Sequence, residues 1–227
     1  MARSLERQVA IDAARAAGHL LQAELRGARR IAFKGPSTNL VTEMDGRAEE
    51  LIVSRLGQAF PDDTILAEER GDRRIELGVA YDPNLDQLYV AERGQGATVN
   101  DRRLAVSSTA TLDESLLTTG FPYNIRETRD TNLREYAAFA VRCRGVRRLG
   151  SAVLDLAWLA SGRLDGFWAL RLGPWDIAAG SLFVEEAGGC VTNLVGGALD
   201  LEASAVVASN GRIHDAMLAV LRETRES

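Results

Sequence analysis

The stretch Arg171-Leu172-Gly173-Pro174-Trp175-Asp176-Ile177-Ala178-Ala179-Gly180 decides how this chain is read. Before it stands an apolar, strand-like run, Gly166-Phe167-Trp168-Ala169-Leu170, and after it a helix-like run with Ser181, Leu182, Val184 and Ala187. Pro174 suits the first turn of a helix, where its missing N–H has no partner to lose. Asp176 then falls inside that first turn, beside backbone N–H groups without intrahelical partners. Two readings follow. Asp176 is a helix-start carboxylate that complements the helix dipole, or it is a metal ligand held at the mouth of a sheet. What else in the chain can reach it decides between them.

Outward from this stretch, helical and strand-like segments come in blocks. Leu5, Val9, Ala13, Ala16, Leu20 and Leu21 recur at helical spacing and predict a helix over 4–26. Ile31 to Pro36 reads as a strand entering a turn. Thr42-Glu43-Met44-Asp45 has the form of a capping box, and Leu51, Ile52, Leu56 and Phe60 give the second helix its apolar face. After Pro61-Asp62-Asp63, a short strand Thr64-Ile65-Leu66-Ala67 runs into Glu68-Glu69. Strands over 75–81, 87–91, 97–99 and 104–106, joined by turns at 82–86, 94–96 and Asn100-Asp101, predict an antiparallel meander. Further on come a strand at 115–119, a helix at 133–143 and a helix opened by Gly150-Ser151-Ala152. Strands at 189–192 and 205–208 and a last helix over 212–222 follow the Asp176 helix. Blocks of this kind, without strict βαβ order, predict an α/β (α+β) layered fold.

Composition excludes several classes of function. A chain that is 46% hydrophobic and 26% charged carries enough apolar content for a full core, so no disulfide staple is needed. The net charge of −5 argues against a general nucleic-acid binder. No run approaches the length of a membrane span, and Glu6, Asp12 and Glu24 speak against a transit peptide. Cys143 and Cys190, far apart in apolar-leaning segments, read as buried free thiols in a reducing compartment, and the cytoplasm is the default location. With only His19 and His214 in the chain, a histidine zinc site or a Ser-His-Asp triad is poorly supported. Any enzyme chemistry must rest on carboxylates.

Asp45, Glu68 and Asp176 stand out, each at the start of a helix or the end of a strand. Such ends, gathered on one side of a sheet, are where α/β proteins place their ligands. The capping box explains Asp45 without function, whereas two carboxylates directly after an apolar strand are harder to place. Glu185-Glu186 read as helix surface, and the cluster Arg142, Arg144, Arg147 and Arg148 as a solvated face. Gly150-Ser151-Ala152 offers a glycine, a hydroxyl and free N–H groups at a helix start, a setting suited to phosphate. Lys34 could add a point charge for the same anion.

Taken together, these residues resemble the inositol monophosphatase family. The resemblance is carried by Lys34-Gly35, Leu40 to Asp45, Ile65 to Glu69, Gly78 to Pro83 and Ala91 to Ala97 with the Asn100 hairpin. Arg148 to Ala152, Pro174-Trp175-Asp176 and Glu186 to Gly189 continue it in order. It implies a single domain over 1–227, with an N-terminal part to about 110, in a layered αβαβα fold. It also implies a homodimer that hydrolyses a small phosphorylated polyol or sugar with magnesium (Mg2+) and is inhibited by lithium. Neither nucleic acid nor membrane is an expected partner. Carried over by position, Glu68 would bind metal and help activate water, Asp176 would bind a second metal, and Asp45 would support the metal-bound water network with Lys34 nearby. Gly150, Ser151, Ala152 and Asp176 would border the substrate.

The sequence departs from the family in two places. A strand ending in D-P-x-D-G-T is expected after the paired glutamates, but here Glu69-Arg70-Gly71-Asp72-Arg73-Arg74 passes directly into Ile75. Asp45, Glu68 and Asp176 alone are a sparse set for several octahedral magnesium ions, and two explanations stay open: a true deletion after Glu69, or a segment omitted from this sequence of an active enzyme. Ala169 occupies a position where inositol-specific members often carry a glutamate for a substrate hydroxyl. Related activities on the same fold stay open: fructose-1,6-bisphosphatase, histidinol-phosphatase, phosphoadenosine-phosphatase, or a catalytically inactive binding module.

Overall fold

Amphipathic and largely apolar helices serve different ends in this chain, and the computed structural model shows where each goes. It describes residues 2–23, 31–33, 40–63, 74–203 and 205–226. The chain divides into two compact units, residues 1–74 with 79–88, and residues 75–78 with 89–227.

In the first unit, helix α1 (Ala2–Ala23) lies against helix α2 (Glu43–Ala59), burying Ile11, Ala13 and Ala17 from one and Met44 and Ala48 from the other. Strands β1 (Ile31–Phe33) and β2 (Leu40–Thr42) pair antiparallel, Ile31 opposite Thr42. The predicted α2 start is observed: Asp45 Oδ2 accepts the Thr42 N–H at 2.6 Å and the Thr42 hydroxyl at 2.8 Å. Gly18 lets the Tyr81 ring close on α1, since a Cβ there would lie 2.4 Å from Tyr81 Cδ1. The end of the predicted first helix, the turn at 34–36 and the strand at 64–67 fall outside the described residues.

Strand β3 (Leu77–Asp82) turns into β4 (Gln87–Glu92), and the boundary between the units falls within this hairpin. In the second unit β4, β5 (Gly96–Val99) and β6 (Arg102–Arg103) form the expected antiparallel meander. Asn100 and Asp101 both take positive φ, 46° and 62°, as a two-residue hairpin turn requires. That turn sets Arg102 opposite Val99, so the strand predicted over 104–106 is instead Arg102–Arg103. Val106 N–H leaves the sheet and donates to Ala187 O at 3.2 Å.

The larger sheet has the order β10 (Cys190–Thr192), β11 (Ala205–Ser209), β9 (Gly166–Leu170), β7 (Leu116–Thr119), β8 (Gly145–Arg147). The β10–β11 and β11–β9 pairs are antiparallel, and β7 runs parallel to both β9 and β8. On one face, Leu117, Trp168, Leu170 and Val207 pack with Phe139 of α3 (Leu133–Ala140) and with Met217, Val220 and Leu221 of α6 (His214–Glu226). The alternate residues of these strands turn to the other face, where α4 (Ala152–Ala160) contacts β7 and β9, and α5 (Pro174–Glu186) contacts β10 and β11. Both of these helices are apolar nearly all round, as befits helices covered on more than one side. Tyr89 of β4 and Phe183 of α5 bring their ring centroids to 6.1 Å, so α5 also meets the smaller sheet. Gly180 makes the α4–α5 approach possible, because a Cβ there would fall 2.5 Å from Leu156 Cδ1. Layers of helix, sheet, helix and sheet result, a mixed α/β arrangement as expected. Both cysteines are free but only half-buried, and burial raises both thiol pKa values.

Candidate active site

Three parallel strands, β8, β7 and β9, run out at the same edge of the larger sheet. The segments that follow them, Gly120 to Tyr123 after β7, Arg148 to Val153 after β8 and Arg171 to Asp176 after β9, all line one cavity of about 200 Å³. The carboxyl ends of parallel strands are the expected place for a ligand, since the chain there changes from sheet to helix and leaves a crevice. Helices α4 and α5 both begin at this cavity, so N–H groups of two first turns point toward it.

The local sequence explains how each group comes to stand there. Gly150 takes φ 100°, and Ser151 is extended as the N-cap of α4. The Ser151 hydroxyl makes no cap hydrogen bond and has no partner among the described residues. Gly173 N–H donates to Asp176 Oδ2 at 2.8 Å, closing the first turn of α5 after Pro174. The helix-start reading of Asp176 is therefore observed, and the cavity-lining position holds as well. Its other oxygen has no protein donor among the described residues. Burial raises the Asp176 pKa, opposed by the hydrogen bond from Gly173. Trp175 is 76% exposed at the cavity rim, and its ring lies over Gly173, where a Cβ would meet it at 2.4 Å.

Gly150, Ser151, Ala152 and Asp176 thus line one cavity. Asp45 belongs to the first unit, exposed at the third position of α2 in the capping box. Glu68 and Lys34 lie outside the described residues. Arg148, Arg171, Phe121 and Tyr123 also line the cavity, as does Asp155, and none was singled out for the site from sequence. Arg148 came from the basic cluster read as a solvated face; the cluster divides, since Arg142 pairs with Glu223 at 2.8 Å. Arg171 takes φ 59°, a left-handed conformation uncommon for a branchless cationic residue outside turns, at the point where β9 gives way to α5. A readable signal did exist for Asp155: it is the lone acid in the otherwise apolar Ala152–Ala160 helix.

A hard cation suits this donor chemistry in kind. Asp176 presents a carboxylate oxygen not used by its helix. Among the described residues, no three His, Cys, Asp or Glu side chains converge as a complete metal site.

The inositol monophosphatase family profile matches residues 3–75 and 71–226. The chain belongs to the inositol monophosphatase family. An inositol-1-monophosphatase of Mesorhizobium japonicum is 36% identical, with 98% of each chain covered. The Nus factor SuhB of Escherichia coli is 35% identical, with 95% of each chain covered. The solved inositol monophosphatase of Anabaena superposes with a TM-score of 0.84 at 35% identity, covering 95% of this chain and 94% of that one. Membership supports phosphatase activity. The family match falls in two pieces that overlap at 71–75, where the D-P-x-D-G-T segment is expected.

Proposed function

We propose that the protein hydrolyses a small phosphate monoester with magnesium, the substrate being inositol monophosphate or a related polyol or sugar phosphate. The observation that carries this reading is the convergence of two helix starts, Gly150-Ser151-Ala152 and Asp176, on a cavity at the ends of three parallel strands. Phosphate would lie against the free N–H groups and the Ser151 hydroxyl of α4. Arg148 and Arg171 would draw the anion in, and Phe121, Leu172 and Trp175 would shield it from water. Asp176, with Asp45 and Glu68 by resemblance, would hold the metal, and Lys34 would stand near it. Magnesium, when bound, supplies Lewis-acid stabilisation of phosphoryl oxygens and eases deprotonation of water. The protein would act as a homodimer in the cytoplasm, with lithium as an inhibitor.

The two-piece family match supports the view that relatives carry a segment between Glu69 and Ile75 that this chain lacks. It also favours a second reading, in which the fold is kept as a binding module. Relatives named Nus factor SuhB also leave room for a role other than catalysis. The test is phosphate release from inositol monophosphate, fructose 1,6-bisphosphate, histidinol phosphate and phosphoadenosine phosphate, with and without magnesium. Magnesium-dependent release supports the phosphatase and names its substrate. No release from any of them, with magnesium saturating, supports the binding module.

A further inference from the structure

The cavity contains one group that the phosphate-binding account leaves unused. Asp155 stands on α4 one turn past Ser151 and lines the cavity with Asp176, the only other carboxylate among its lining residues. It is 2% exposed. Thr118 Oγ1 of β7 donates to Asp155 Oδ1 at 2.9 Å. No other side-chain hydrogen bond reaches the carboxyl group among the described residues. Arg148 faces it with positive charge from the segment after β8, yet forms no ion pair with it. A carboxyl group has two oxygens that can each take hydrogen bonds, and here only Oδ1 is engaged by a side chain while the residue borders the cavity.

The surroundings say what would complete it. The nearby β9 residues on the cavity are Phe167 and Ala169, which offer no polar side-chain atom. The anion-binding groups, Ser151 and the first-turn N–H groups, belong to the start of α4, one turn away from Asp155. A ligand with its phosphate at that helix start would therefore present its organic part to Asp155. A carboxyl group there suits a hydroxyl, which can donate to its free oxygen or accept from it when it is protonated.

We infer that Asp155 is the residue that recognises a hydroxyl group on the organic part of the substrate, selecting hydroxylated phosphate monoesters over apolar ones. This rests on the proposal that the cavity binds a phosphate monoester. It assigns to Asp155 the discrimination that Ala169 cannot make.

The test compares inositol 1-phosphate with cyclohexyl phosphate, the same ring without hydroxyls, on the full chain with magnesium. Asp155→Ala and Asp155→Asn are measured beside the unaltered protein for hydrolysis, and for equilibrium binding by calorimetry. For Asp155→Ala, KM or Kd for inositol 1-phosphate is expected to rise about tenfold or more, and that for cyclohexyl phosphate to change less than about twofold. Asp155→Asn keeps the shape and one acceptor, so it is expected to fall between the two. Equal weakening of both ligands, or no weakening of either, overturns the inference, because a purely structural carboxyl would not distinguish them. If the unaltered protein binds both ligands but hydrolyses neither, the phosphatase reading fails while binding still decides Asp155. If the unaltered protein binds neither, or binds both equally, the inference is overturned as well.

Discussion

Trp168 Nε1–H donates to Asn132 Oδ1 at 2.7 Å, and this bond ties the central strand of the larger sheet to the start of α3. The same amide donates through Nδ2 to Thr119 Oγ1 at 2.8 Å and to Gly120 O at 2.7 Å. Thr119 Oγ1 in turn donates to Trp168 O at 2.6 Å. The network is buried and closed, and it fixes the chain where β7 runs out into the cavity. Asn132→Ala would leave a buried indole N–H without a partner, at an expected cost of about 3 kcal/mol. Urea unfolding should show a lower midpoint at an unchanged slope. Asn132 takes φ 64°, so Asn132→Gly should relieve the backbone and recover about 1 kcal/mol of that loss without restoring the bonds. A midpoint unmoved in Asn132→Ala would show that the clamp carries no stability.

Glu186 is a second case in which one side chain organises a distant turn. Its two oxygens accept the N–H groups of Gly94 and Gly96, both at 2.8 Å, while Glu185 pairs with Arg93 at 3.0 Å. Glu186→Ala removes two charge-assisted bonds and is expected to destabilise by about 2 kcal/mol, with Glu186→Gln intermediate. Amide hydrogen exchange at Gly94 and Gly96 should accelerate in step with the lost stability. Exchange that stays slow in Glu186→Ala would assign the turn's order to its backbone alone.

These carboxylates show what the sequence does and does not carry. Asp45 and Asp176 were legible because a helix start is written in neighbouring residues, Thr42-x-x-Asp45 in one case and Pro174 in the other. Glu185 and Glu186 read as helix surface because their partners lie some ninety residues away, and no local pattern records that. Strand β8 was missed for a related reason. Gly145-Val146-Arg147 is too short to alternate, and only parallel pairing with β7 makes it a strand. The cavity depends on that strand, since Arg148 and Gly150 follow from its end. Half of the site was therefore local chemistry, and the other half was topology.

The stability of the protein should depend on pH through Asp155. Burial raises its pKa to about 7, with the Thr118 hydrogen bond and the Arg148 charge opposing. In the unfolded chain the group titrates near the ordinary carboxylate value, about 3.9. The native state therefore binds more protons at Asp155 between those values, so the contribution of Asp155 to stability is greatest at low pH and declines as pH rises toward 7. Asp155→Asn lacks this dependence. Its stability relative to the unaltered protein is expected to improve from pH 4 to pH 8 by about 2–4 kcal/mol, read from denaturant midpoints. His214 acts with the opposite sign, because burial lowers its pKa and its contribution is lost as pH falls. Both proteins retain His214, so it cancels in the comparison. Parallel stability profiles for the two proteins would reject the assigned titration.

Asp176 tests whether capping and metal binding are separable duties of one carboxylate. The Gly173 N–H needs only an acceptor at Oδ2, which the amide oxygen of Asp176→Asn can still provide. The substituted helix start should therefore lose no more than about 0.5–1 kcal/mol of stability. A hard cation, by contrast, needs the charge, and the neutral amide is a much poorer ligand. Phosphate release is expected to fall at least about a hundredfold, with weaker magnesium binding by calorimetry. Asp45→Asn offers the matching comparison in the first unit, because Asp45 caps α2 through the same oxygen and from the same helical position. If Asp176→Asn kept full activity while stability dropped, the carboxylate would serve the helix alone, and the metal would have to be held by other residues.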